Sequence, residues 1–294
     1  MQRLHLMTGK GGVGKTSVAA ALAIASRAAG KRPLLVELGH GSSMSGFFGR
    51  PVGHAPREVA PGISAANLQP EGLVLDYVTE QIRSKLLARR IVDNTVLQRF
   101  FRASPAIVEI TTFHNLHRIL ETTSFDPVIV DLDATGHALM FLELPRTLDG
   151  ILGKGGLRRV LDGFSSVLRD PEQTSLHVVT LPEELPVQET IDFYQRMRAL
   201  AATTLATVFL NRVHGEPLSP EDADRLAGLE GLADFESDVA LARAAAKRYE
   251  QERQLSDHLC ARLPCPVAEL PVVAGGITLE TAEGWGKTIL EVVQ

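Results

Sequence analysis

The chain opens on Arg3-Leu4-His5-Leu6-Met7-Thr8, where polar and apolar residues alternate, and this period of two predicts a short strand. A glycine-rich run follows, and the alanine-rich segment from about 15 to 29 then reads as a helix stopped by Gly30. Arg32-Pro33-Leu34-Leu35-Val36-Glu37 is predicted to be the next strand, which completes a β-α-β unit. Between about residues 70 and 124 the period changes. Leu75, Val78, Ile82 and Leu86 recur at helical spacing, and Ile107, Ile110, Phe113, Leu116 and Leu120 repeat the pattern after Pro105.

Strand–helix alternation resumes beyond this stretch, with strands expected at 128–131, 176–180, 205–210 and 267–270. Helices are expected at 157–168, at 187–200, after the strand at 205–210 as far as about residue 260, and after Thr278. Such alternation implies an α/β fold: a mostly parallel sheet covered by helices on both faces. Residues 1–294 are read as a single domain, with 70–124 as a helical insertion lying on the sheet core.

Composition changes this picture little. The hydrophobic fraction of 45% and the charged fraction of 22% are those of a globular protein. A formal net charge of -5 gives no reason to expect a nucleic-acid partner, and the pairs Arg89-Arg90 and Arg158-Arg159 read as solvated helix faces. Cys260 and Cys265 are too few for a disulfide framework and wrongly spaced for zinc, so they are expected to be small buried apolar residues in a reducing compartment. The apolar run 18–26 is too short to span a bilayer, and the expectation is a cytoplasmic protein without stable membrane insertion.

The chemistry is concentrated in Gly9-Lys10-Gly11-Gly12-Val13-Gly14-Lys15-Thr16, which fits G-x-x-x-x-G-K-[ST] between a strand and a helix. Glycines there let successive N–H groups turn inward as an anion nest, and the following helix aims its positive end at the same point. Lys15 is expected to reach the β- and γ-phosphates of ATP, Thr16 to ligate Mg²⁺, and Ser17 to continue the cradle. Asp131 closes the apolar strand that follows Phe125-Asp126-Pro127 and is a second candidate for the Mg²⁺ shell.

Lys10 gives the loop the form K-G-G-V-G-K-T, which resembles the deviant Walker A class of P-loop ATPases. Within that class the chain resembles the ArsA family. Asp131-Leu132-Asp133-Ala134-Thr135-Gly136-His137 through Pro145 is similar to its D-T-A-P-T-G-H-x-L-R-L-L-x-L-P signature, and Thr180 to Thr190 is similar to its T-x-P-E-x-L-P-V-x-E-T segment. Val59-Ala60-Pro61-Gly62 and the run from Ala103 to Ile107 resemble its bacterial members. The resemblance implies two subunits clamping two nucleotides face to face, with Lys10 reaching the partner's nucleotide. With one P-loop per chain, this means a homodimer or a heterodimer with a paralogous subunit. It also implies that Asn211 recognises adenine, since an Asn amide offers a donor and an acceptor to the N6 and N7 edge.

Two departures bear on mechanism. Where the family has D-P-A-H-S, this chain has Gly39-His40-Gly41-Ser42-Ser43, so the aspartate that orients attacking water is replaced by Gly39. After Asp131, Leu132-Asp133-Ala134 stands for T-A-P. Either Asp133 or Glu37 is then expected to orient the water, or the chain binds ATP with little hydrolysis and serves as a regulatory subunit beside an active paralogue. Arsenite capture needs three thiolates and is disfavoured by two cysteines. Targeting of a membrane-protein client stays open, although residues 70–124 contain no methionine. A positioning ATPase with a C-terminal membrane helix is disfavoured by Glu280, Glu283 and Glu291.

Overall fold

The computed structural model describes residues 2–39, 43–82, 84–94, 105–132, 135–148, 156–200, 203–228 and 235–293. Its frame is an eight-stranded sheet of order β3-β4-β2-β5-β1-β6-β7-β8. The strands are β1 (Leu4–Thr8), β2 (Leu34–Leu38), β3 (Arg57–Ala60), β4 (Ile63–Leu68), β5 (Val128–Asp131), β6 (Thr174–Thr180), β7 (Leu205–Val213) and β8 (Val267–Pro271). Every neighbouring pair is parallel except β3–β4, so the mostly parallel α/β sheet expected from the alternation is present. The antiparallel edge was not legible as strands: Arg57 and Glu58 are exposed, and only the inner half of β3 is buried.

Alternation along each strand divides the core in two. Leu4, Leu6, Leu34, Val36, Val128, Val130, Leu176 and Val178 face one layer of helices. That layer holds α5 (Pro105–Thr122), α6 (Thr135–Leu148), α7 (Gly156–Arg169) and α8 (Glu184–Leu200), with Phe113, Phe141 and Phe164 clustered between them. Met7, Leu35, Ile129, Val179 and Phe209 face the other layer. There α1 (Lys15–Ala28) lies beside the C-terminal helix Leu279–Val293, with α2 (Ser43–Phe48) at its end. A Cβ at Gly286 would stand 3.3 Å from that of Ala25, and such small residues let these two helices pack closely.

The apolar stripe through Leu75 and Leu86 is not one helix. α3 (Pro70–Ile82) is followed by α4 (Lys85–Val92), whose start is capped by Ser84 accepting from the Leu87 N–H at 3.4 Å. The restart resets the helical phase and leaves Leu86 71% exposed. The remaining helices among the described residues are α9 (Pro220–Gly228), α10 (Glu236–Arg262) and α11, the closing Leu279–Val293. Cys260 is exposed and Cys265 only half-buried, which corrects the expectation of two core thiols. Cys260 lies one residue beyond the buried Glu252, Ser256 and Leu259 stripe of α10. Partial burial pushes the Cys265 thiol up to about 11. No helix among the described residues is long and apolar enough to cross a membrane.

Candidate nucleotide site

Because β1, β2, β5, β6, β7 and β8 run parallel, their C-terminal ends line one edge of the sheet, where the loops of such folds gather ligands. The turn from Gly9 to Gly14 joins β1 to α1 at the middle of that edge. Gly9 lies against the backbone of β6, and any Cβ there would stand 2.1 Å from the Val179 carbonyl oxygen. Gly14 caps α1 at φ 96, a left-handed conformation that opens the first turn of amides toward the loop. Lys15 curls over this turn, its Nζ donating to the carbonyls of Gly9 at 3.1 Å and Lys10 at 3.3 Å. An ammonium held across a cup of N–H groups is the arrangement that receives a phosphate chain.

Thr16, the second residue of α1, donates from Oγ1 to Asp131 Oδ2 at 2.5 Å. Asp131 is 6% exposed at the end of β5 and neighbours Met7 of β1 on one side and Glu37 of β2 on the other. These three positions share the α1 face of the sheet, set by the alternation that buries Leu35 and Ile129 there. A hydroxyl beside a carboxylate, both oxygen donors, fits a hard cation such as Mg²⁺.

β7 runs beyond the expected 205–210 to Val213, so Asn211 is a buried member of the strand. Its Nδ2 donates to the Val13 carbonyl at 2.8 Å and its Oδ1 accepts from the Arg212 N–H at 2.9 Å. Arg212, the next residue, adopts φ 62 and reaches the Gly12 carbonyl at 3.0 Å, so β7 grips the P-loop twice. Beside this grip is a cavity of about 160 Å³ whose lining includes Gly14, Ser17, Asn211, Val272, Ile277 and Trp285. A larger cleft of about 900 Å³ shares Arg212 and Val272 with it and extends between α8 and α10.

Lys10 points within its own chain, its Nζ 3.0 Å from Glu189 Oε1 on α8. Glu189 belongs to the Thr180–Thr190 segment but drew no assignment from the sequence. Nor did Arg212, Asn67 or Trp285, whose importance depends on contacts between elements far apart in the sequence. Asp133 lies outside the described residues, as do His40, Gly41 and Ser42. Gly39 is at φ 88, and no described residue comes within 4 Å of a Cβ built on it.

Residues 2–159, more than half of the chain, match the family model of the anion-transporting ATPases, ArsA_ATPase. The chain belongs to the ArsA family. It is 26% identical to the ATPase BagA of Mycobacterium tuberculosis over 94% of this chain and 89% of that one. It is 24% identical to the ATPase GET3 of Chaetomium globosum, with 89% of this chain and 84% of the other aligned. An arsenical pump-driving ATPase of Escherichia coli is 28% identical over 75% of this chain but only 40% of its own length. The ArsA family thus includes proteins of this size as well as longer ones.

Proposed function

We propose that this ArsA-family ATPase is a nucleotide-driven switch that binds Mg²⁺-ATP at the Gly9–Thr16 loop and closes on a second ATPase subunit. The observation that carries the reading is the joint placement of Lys15 over the glycine cup and of Thr16 against Asp131. Gly9, Lys10, Gly11, Gly12, Val13, Gly14, Lys15, Thr16 and Ser17 hold the phosphates, and Thr16 with Asp131 holds the cation. Mg²⁺ supplies neutralisation of charge on the β- and γ-phosphate oxygens.

The base enters the cavity beside Asn211. An Asn amide has two N–H donors and two acceptor lone pairs, and the bonds to Val13 and Arg212 use one of each. One donor and one acceptor are left for the N6 and N7 edge of adenine, whereas the O6 of guanine would meet acceptor with acceptor.

Closure brings Lys10 to the nucleotide of the other subunit, a homologous or identical chain. Hydrolysis is slow because Gly39 offers no carboxylate to attacking water, and Asp133 takes that role in part. The absence of a side chain at Gly39 favours one second reading, a nucleotide-binding regulatory subunit paired with an active paralogue.

Calorimetry with Mg²⁺-ATP tests the first step, with Lys15→Ala as the blank. Heat from the wild type and none from the variant is expected; no heat from either defeats the proposal. Single-turnover hydrolysis then separates the two readings, since a rate equal to that of Lys15→Ala leaves the regulatory subunit.

A further inference from the structure

We propose that Glu37 is a second carboxylate of the magnesium site, fixed beside Asp131 so that it accepts hydrogen bonds from metal-bound water. This inference rests on the nucleotide-binding reading above and assigns a residue on which the loop motif is silent.

Three strands bring polar residues into one row on the α1 face. Asn67 of β4 is in register with Glu37 of β2, and Glu37 is in register with Asp131 of β5. Glu37 is only 5% exposed. Its Oε2 accepts from Asn67 Nδ2 at 3.0 Å and its Oε1 from the Ser43 N–H at 2.8 Å. A carboxylate has about four acceptor sites, so these two bonds orient the group and leave roughly two sites unused. Glu37 makes no ion pair among the described residues.

Two largely buried carboxylates, in register on neighbouring strands and on one face of the sheet, supply the hard oxygen atoms that a dication takes. The Thr16 hydroxyl on Asp131 marks where that cation is held. Mg²⁺ keeps several of its waters, and these need acceptors beyond the direct ligands. Glu37 supplies them from β2, two residues before Gly39. A purely structural role, tying Ser43 at the start of α2 to the sheet, would be indifferent to Mg²⁺.

The experiment measures the affinity of the full-length protein for the non-hydrolysable analogue AMP-PNP, in EDTA and in Mg²⁺, by calorimetry and by fluorescence of Trp285, the one tryptophan of the chain. For the wild type, Mg²⁺ tightens binding. In Glu37→Gln that tightening shrinks about tenfold, the usual effect of removing an outer-shell partner, while affinity in EDTA is retained. Glu37→Asp, which keeps the charge, recovers part of it. An unchanged tightening in Glu37→Gln overturns the assignment, and so does an equal loss in EDTA and in Mg²⁺, the signature of a structural tie. Should Glu37→Gln fail to fold, Asn67→Ala removes the brace instead; a tightening identical to wild type then overturns the assignment. Wild type that binds no nucleotide in either condition defeats the underlying reading, a result distinct from all of these.

Discussion

Asn211 holds the carbonyl of Val13, 198 residues away in the sequence, through a 2.8 Å hydrogen bond from its amide nitrogen. The bond is buried, so leaving the carbonyl unpaired costs more than the bond's net contribution, about 1–3 kcal/mol. The same amide lines the cavity assigned to the base. Asn211→Leu is therefore expected to lower stability by about 2 kcal/mol and to weaken ATP binding by at least about tenfold. Chemical denaturation and a Trp285 fluorescence titration check the two effects separately. A variant that loses stability but keeps its preference for ATP over GTP would remove Asn211 from base recognition.

Gly14 is a further point where β7 lies against the P-loop. A Cβ there would lie 2.4 Å from Asn211 Nδ2, on a backbone whose φ of 96 already disfavours a side chain. Gly14→Ala is expected to abolish measurable nucleotide binding in calorimetry. The companion Gly14→Ala/Asn211→Ala relieves the clash but not the backbone strain, and is expected to restore little.

Gly39 offers the converse experiment. Its φ of 88 is left-handed, which Asp tolerates better than most residues, and a Cβ would meet no described residue within 4 Å. Gly39→Asp returns a carboxylate to the position that Gly39 leaves bare. It is expected to raise the single-turnover rate of ATP hydrolysis by roughly a hundredfold, the scale of one general-base or water-orienting group. A rate unchanged in a folded variant that still binds ATP would place the deficit elsewhere.

The legibility of this molecule follows from locality. The β1–P-loop–α1 unit could be read directly because glycine spacing, strand alternation and the helix stop at Gly30 all lie within a short window. The restart of the helix at Ser84 was hidden, because a polar cap inside a continuing apolar stripe leaves the 3.6-residue period intact over the break. β3 escaped because an edge strand with exposed Arg57 and Glu58 lacks a full buried face. Asn67, Glu189 and Trp285 gained meaning only from register and packing, which no local pattern encodes.

Lys10 and Glu189 form a half-exposed ion pair, 44% and 38% accessible. Exposed pairs of this kind contribute at most about 1 kcal/mol. Lys10→Ala is accordingly expected to leave thermal stability nearly unchanged while abolishing ATP-dependent association of subunits. Sedimentation velocity with Mg²⁺-AMP-PNP checks it. Association that survives the substitution would show that the lysine does not cross to a neighbour.

His5 and His177 predict how the protein responds to acid. Both rings are fully buried, and His5 Nδ1 lies 3.0 Å from His177 Nε2. The other nitrogen of His5 faces the Gln2 carbonyl at 2.9 Å and must be the donor there. His5 Nδ1 is then an acceptor, so His177 Nε2 carries the proton, and the His177 Nδ1, without a partner among the described residues, is a lone pair, not an orphaned N–H. Protonating either ring would set donor against donor or bury a charge. Burial accordingly lowers His5 to about 4 and moves His177 in the same direction. The unfolded chain takes up these protons near the usual 6.5, whereas the folded one keeps His5 neutral down to about 4 and His177 neutral well below 6.5. Between those values the unfolded state binds more protons, so stability falls as pH falls. The loss at pH 4 is on the order of 3 kcal/mol from His5 alone, at 1.36 kcal/mol per unit. Because β1 leads directly into the P-loop, acid is expected to loosen the nucleotide site along with the sheet. Urea denaturation from pH 7 to pH 4 should show this slope, and the double variant His5→Leu/His177→Leu should flatten it. An acid limb of equal steepness in the double variant would assign the sensitivity to other groups.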